Sequence, residues 1–186
     1  EEDGEERVAA DVYREGESIH DLLPEMLDAL IADLRFPKSM RWGHRNERFG
    51  RAVRWITAVA DGEVVPVSFA GVESTGETRG HRFTAPEPFS VASIEEYEEG
   101  LREADVIVDP AERRDEIEAS LEALAAEVDG RVVEDPDLVD EVVHLVEKPH
   151  ATRLDFDDSY LELPDEVLVT SMRSHQRYFA IEDTNQ

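Results

Sequence analysis

Apolar positions recur at helical spacing from Ile19 to Leu34, where Leu23, Met26, Leu27, Leu30, Ile31 and Leu34 form one stripe. Pro37 lies just beyond, so the pattern predicts a helix that stops there. Ala52 to Val59 and Val64 to Phe69 read as strands. The Asp61-Gly62 pair between them favours the tight turn that matches strand twist, so the two runs form a β-hairpin. Val8 to Arg14 reads as a short strand, and Val72 to Phe83 as a polar loop ending in a strand.

The second half is written in helix-start signals. Ser93-Ile94-Glu95-Glu96 fits a capping box and opens a helix to about Ala104. Val106 to Val108 reads as a short strand. Asp109-Pro110 supplies a cap and a first-turn proline for a long helix to about Val128, closed by Asp129-Gly130. Its apolar stripe is Ile117, Leu121, Leu124, Ala125 and Val128. Asp135-Pro136 repeats the signal for a helix through Val146, stopped by Pro149. Ala151 to Phe156 reads as a strand, Pro164 opens a helix to about Arg173, and Tyr178 to Ile181 reads as a final strand. The pattern is mixed α+β, with no internal repeat and no Gly/Ser linker, which favours a single domain over residues 1–186. The sequence ends in strand-like material at Ile181-Glu182-Asp183, as expected of a piece cut from a longer chain.

Composition adds constraints. With 40% hydrophobic residues in 186, the chain has material for a core, and its longest apolar runs fall far short of a membrane span. The acidic start, with no apolar run after it, is unlike a secretory signal, so a soluble cytoplasmic protein is the expectation. The absence of cysteine excludes disulfides, thiolate metal sites and a cysteine nucleophile. The formal net charge is −27, and the cations are 17 arginines with only Lys38 and Lys148. Acid excess with almost no lysine fits a protein working in high salt, where repulsion is screened; an acidic protein coded at high GC content is the plainer alternative.

Such a charge opposes nucleic-acid binding, but the cations are clustered. Lys38, Arg41, Arg45, Arg48, Arg51 and Arg54 follow Arg35 against a single Glu47. Arg79-Gly80-His81-Arg82 is a second island and Met172 to Phe179 a third, whereas Glu95 to Asp140 holds 18 acids. Segregated charge suggests one functional and one solvated face. In the first island, arginines can pair phosphates and Trp42 can stack on a base; alternatively the aromatics are core and the arginines bond to carboxylates. Gly80 would allow close backbone approach to a phosphate. His175 is either an acid/base group or a structural hydrogen-bond donor.

No nucleotide loop or hydrolase motif is present. His144 and His150, six apart across a proline, do not make a metal pair. The acids Glu112, Asp115, Glu116, Glu118 and Glu122 read as a solvated helix face.

Five segments resemble one family in order. Lys38-Ser39-Met40-Arg41-Trp42-Gly43, then Arg48-Phe49, Arg51-Ala52-Val53 and Trp55, resemble "PKxMRWG…xRFxRPVxW" of the bacterial glycyl-tRNA synthetase beta subunit. Thr78-Arg79-Gly80-His81-Arg82-Phe83 resembles its "TRGHRF". Asp109 with Ala111-Glu112-Arg113-Arg114 resembles its "D-x-x-E/A-E-R-R" stretch. Leu138, Glu141-Val142-Val143, Leu145-Val146-Glu147 and Pro149 resemble "LLxEVxxLVEWP". Leu163-Pro164, Glu166-Val167-Leu168, Thr170, Met172, His175-Gln176 and Tyr178-Phe179 resemble "LPxEVLxxTMxxHQKYF". The departures are Ala52 for proline, Lys148 for tryptophan and Arg177 for lysine.

The resemblance implies a middle domain like the B3/B4 domain of the phenylalanyl-tRNA synthetase beta subunit, with an antiparallel-rich sheet flanked by helices. It implies a tRNA-binding accessory role in an alpha–beta complex that joins glycine to tRNA-Gly. The expected partners are tRNA-Gly, the alpha subunit and the remaining beta-subunit domains, without a membrane. ATP and Mg²⁺ would serve the whole synthetase, with no cofactor in this domain and no glycine activation by it alone. The expected RNA contacts are Lys38, Arg41, Trp42, Arg45, Arg48, Arg51, Arg79 and Arg82. An editing deacylase with His81 or His175 positioning water is one alternative, although so small an amino acid leaves little need for a second sieve. A structural scaffold is the other.

Overall fold

The computed structural model describes residues 11–13 and 15–183, which divide into two compact units meeting at residues 76 and 77. The strand expected at Val8 to Arg14 lies partly outside the described residues, and residues 11–13 have no regular structure.

In the first unit, α1 spans Ile19–Asp33, with the Ser18 hydroxyl accepting the His20 N–H at its start. Pro24 in its second turn removes one intrahelical bond. Leu23, Leu27 and Ile31 of the expected stripe are half-buried, while Met26, Leu30 and Leu34 stay exposed. The Asp28 carboxylate accepts the Ser68 N–H and ties α1 to the strands.

The strands are shorter than the apolar runs. β1 is Ile56–Thr57, β2 Val59–Ala60, β3 Glu63–Val64, β4 Ser68–Phe69 and β5 Val72–Thr75. The Asp61-Gly62 hairpin forms as expected: Val59 faces Val64, and both turn residues have positive φ, 51° and 81°. A second two-residue turn, Ala70-Gly71, joins β4 to β5 with φ of 49° and 73°. Pro66 explains why the run from Val64 to Phe69 is not one strand, because it cannot donate to a ladder. Ser74 repairs the gap: its hydroxyl accepts the Val67 N–H at 2.9 Å and donates to the Val65 carbonyl at 2.6 Å. Val65 and Val67 are buried on either side. β1 joins β5 in parallel, the one parallel pairing among the described residues.

In the second unit, β6 (Glu77–Arg79) pairs antiparallel with β7 (Pro88–Ser90), so the expected loop at Val72 to Phe83 is largely strand, with Phe83 in a turn. α2 spans Ile94–Glu103. The Ser93 hydroxyl accepts the Glu96 N–H, and the Glu96 carboxylate accepts the Ala92 N–H, closing the capping box one residue upstream. α3 (Pro110–Ala126) and α4 (Pro136–Val143) start at their Asp-Pro signals, capped by Asp109 and Asp135. At the end of α3 it is Asp129, not Gly130, that takes positive φ. Gly130 instead opens β8 (Gly130–Val132), which pairs antiparallel with β9 (Ile181–Asp183). α5 (Asp165–Ser171) continues into a π-helical turn, Met172–Gln176.

Ile117, Val139 and Val143 form the core between α3 and α4, joined by Leu121, Val142, Val146 and Phe179. Two expected strands are not strands. At Val106 to Val108 the backbone is extended but unladdered: the Ile107 N–H bonds to the Glu147 carbonyl, and Arg113 takes the Ile107 and Val108 carbonyls. Residues 151–156 are irregular. α4 ends three residues early, and the last strand begins at Ile181 instead of Tyr178. The fold is mixed α+β and mostly antiparallel, its strands divided among four small sheets in the described residues. No helix among them is long and apolar enough to cross a membrane.

Candidate nucleic-acid interface

The first basic island is built as a closed loop. Met40 and Phe49 exchange backbone hydrogen bonds of 2.8 and 3.2 Å, so residues 41–48 project from one β-bridge. Phe49 anchors the base, with Phe36 edge-on at 4.7 Å and Phe69 at 5.5 Å. Gly50 passes directly beneath the Phe36 ring. Within the loop Gly43 adopts φ of 60°, which glycine meets without strain. Arg48 is fixed by two donations to Ser39, from Nε to the hydroxyl and from Nη2 to the carbonyl, each 2.9 Å. The Arg45 guanidinium lies against Gly71, where a Cβ would collide with it. Trp42 is half-buried, while Trp55 is exposed.

The second island alternates inward and outward positions. Thr78 is buried (4% exposed) on β6. Arg79 points out, with one hydrogen bond to the Pro86 carbonyl at 3.2 Å. The backbone approach at Gly80 is to Ala104 at the end of α2, which fills the space of a Cβ. The His81 N–H donates to the Ala104 carbonyl at 2.8 Å. The His81 ring faces the Thr84 turn: Nδ1 lies 3.4 Å from the Phe83 and Thr84 nitrogens and 3.1 Å from the Thr84 hydroxyl, and Nε2 lies 4.0 Å from Glu147. Asp105, beside Thr84, pairs with Lys148, and these two hydrogen bonds hold its carboxyl below the usual range. Arg82 is exposed.

The third island is locked to α4. Arg173 forms a two-point pair with Asp135 (Nη2 to Oδ1, 3.1 Å), which depresses the Asp135 carboxyl while its Oδ1 also caps the Leu138 N–H. Arg177, in the left-handed conformation, bonds Glu141 at 2.6 Å. His175 is exposed, and its side chain hydrogen-bonds no described residue.

Pairing therefore divides the cations. Arg35, Arg102, Arg114, Arg131, Lys148, Arg153, Arg173 and Arg177 each meet a carboxylate. Arg113 is satisfied by three carbonyls. Lys38, Arg41, Arg45, Arg48, Arg51, Arg54, Arg79 and Arg82 are exposed and form no ion pair with a described residue. Every cation of the expected contact set falls in this last group. Arg54 joins it, and its place in the same run was the signal that could have added it. Those from Lys38 to Arg54 lie in the first unit, Arg79 and Arg82 in the second. Among the described residues no cluster of three histidines or acids could hold a metal ion.

A sequence model described as "Glycyl-tRNA synthetase beta subunit" matches residues 1–186, the whole chain. The glycine–tRNA ligase beta subunit of Syntrophus aciditrophicus is 49% identical over 168 residues, covering 90% of this chain and 24% of that protein. The corresponding subunit of Bacillus subtilis is 44% identical over 182 residues, 98% of this chain and 26% of its own length. The chain thus spans about a quarter of the length of the curated relatives it matches.

Proposed function

The chain belongs to the glycyl-tRNA synthetase beta subunit family, and on that premise we propose that it is a tRNA-binding accessory region of a glycine–tRNA ligase. One observation carries the reading: in a chain with 46 carboxylates, eight cations in two islands stay exposed and unpaired. Unpaired cations break no ion pair when they meet a phosphate, and they displace its counterions.

The loop at residues 41–48 is the positioning element. Arg48 keeps part of its guanidinium free while its two bonds to Ser39 hold it in place, so little side-chain entropy is lost on contact. Phosphate contacts from Lys38, Arg41, Arg45, Arg48, Arg51, Arg79 and Arg82 orient the RNA, and Trp42 supplies a stacking surface. Glycine activation with ATP and Mg²⁺ is assigned to the rest of an alpha–beta complex. The ion pairs of Arg173 and Arg177 support the scaffold alternative for the third island alone.

The test is binding of tRNA-Gly and an unrelated tRNA across a salt series. Saturable binding that weakens linearly on a log–log plot supports the reading, with a slope of roughly 0.7–0.9 per phosphate contact. No binding at low salt by the folded chain sinks it.

A further inference from the structure

Residues 151–163 of the second unit carry a surface that the RNA reading does not use. The alternating pattern from Ala151 to Phe156 predicts a strand, yet in the fold it has no ladder partner and none of its backbone groups is hydrogen-bonded to a described residue. Backbone donors and acceptors in an extended segment are a template for pairing with another chain. Arg153 turns toward the end of α3, within ion-pair distance of Glu127 and of Asp155. The alternate residues Leu154 and Phe156 remain exposed, at 64% and 49%. Beyond them, Tyr160 and Leu161 in the 3₁₀ turn Asp158–Glu162 are exposed at 54% and 61%. Asp155, Asp157, Asp158 and Glu162 flank these apolar residues.

Exposed apolar side chains beside free backbone groups fit an added strand, with alternate side chains setting specificity. The carboxylates exclude RNA, and they disfavour a second copy of this chain, whose matching strip is equally acidic. They favour an extended segment that carries Arg or Lys beside apolar residues. We propose that the 151–163 strip is covered by such a segment of the same beta-subunit polypeptide, from outside these 186 residues. In the Syntrophus aciditrophicus relative the matched region is only 24% of the chain, so ample polypeptide lies outside it. A tethered segment also docks at high effective concentration without needing strong intrinsic affinity. The proposal rests on family membership and not on RNA binding.

Hydrogen–deuterium exchange tests it on the full-length beta subunit alone, on its complex with the alpha subunit, and on the 186-residue chain. The expected result is that amides of residues 151–156 exchange about 100-fold or more slowly in the full-length subunit alone than in the 186-residue chain. Leu154→Glu with Phe156→Glu should restore fast exchange there, while leaving the unfolding midpoint of the 186-residue chain unchanged. Should the double variant fail to fold at full length, Phe156→Ser alone gives the same reading. Equally fast exchange in the full-length subunit overturns the proposal. So does protection that arises only on adding the alpha subunit or tRNA, or only at high concentration of the 186-residue chain.

Discussion

The cations of residues 38–54 and 79–82 and those from Arg102 onward occupy the same acidic chain and end in opposite states. From Arg102 on, each described cation is tied down, by a carboxylate or, for Arg113, by three carbonyls. In the two earlier islands no cation forms an ion pair with a described residue. The whole chain has 46 carboxylates, but only Glu47 falls within the run from Lys38 to Arg54. Paired arginines in the second unit reach partners up to 51 residues away in sequence, while the unpaired ones bond only oxygens within nine residues, Arg48 to Ser39 and Arg79 to Pro86. Free cations are the ones available to an anionic partner.

The sharpest way to break that contrast is to reverse free cations that make no hydrogen bond of their own. The quadruple variant Arg41→Glu, Arg51→Glu, Arg54→Glu, Arg82→Glu should weaken tRNA binding at low salt by about a thousandfold, since each lost contact forfeits counterion release. Its unfolding midpoint should match that of the parent. Filter binding beside urea unfolding checks both, and unchanged affinity would remove the RNA reading.

Arg113 tests the opposite side. Its guanidinium bonds the carbonyls of Val143 (2.9 Å), Ile107 and Val108 (2.9 Å) at the edge of the core. Arg113→Ala strands these acceptors and should cost about 3 kcal/mol of stability, with no loss of tRNA affinity once the protein is folded. A destabilisation below about 0.5 kcal/mol would show that the pairing contrast carries no energetic weight.

A pH series sharpens the comparison. Arg173 and the Leu138 N–H depress the Asp135 carboxyl in the folded state. Its stabilising effect is therefore complete above the unfolded value near about 4 and is lost as pH falls through the lower folded value. Asp135→Asn keeps a good cap but removes the charge. Both partners are partly exposed, so the variant should lose under about 1 kcal/mol at pH 7. The gap to the parent should close below about pH 4; a gap that persists in acid would assign the loss to the cap instead.

What the sequence made legible was local. The Asp61-Gly62 hairpin, the Ser93 cap and the Asp-Pro starts of α3 and α4 each depend on residues within about one turn, and all formed. Strands need partners elsewhere in the chain, so Val106 to Val108 and Ala151 to Phe156 were read from propensity but found no ladder. The clustering of cations was visible in the sequence, but their pairing was not, because Arg173 finds Asp135 and Arg177 finds Glu141 across more than 35 residues. The close neighbour of Gly80 was hidden for the same reason: it is Ala104, 24 residues further on.

The smallest effect belongs to a single free arginine and is the most exacting case. Arg51 is exposed and makes no ion pair or hydrogen bond with a described residue. Arg51→Ala should therefore shift stability by no more than about 0.5 kcal/mol. If Arg51 meets one phosphate, the same change lowers the slope of log affinity against log salt by about 0.7–0.9 and affinity by several-fold, equally for tRNA-Gly and an unrelated tRNA. Equal loss on both RNAs marks a backbone contact, and greater loss on tRNA-Gly marks a contact that reads sequence or shape. A variant that instead loses stability and keeps its slope would move Arg51 into the company of Arg113, and the line between free and fastened cations would have to be redrawn.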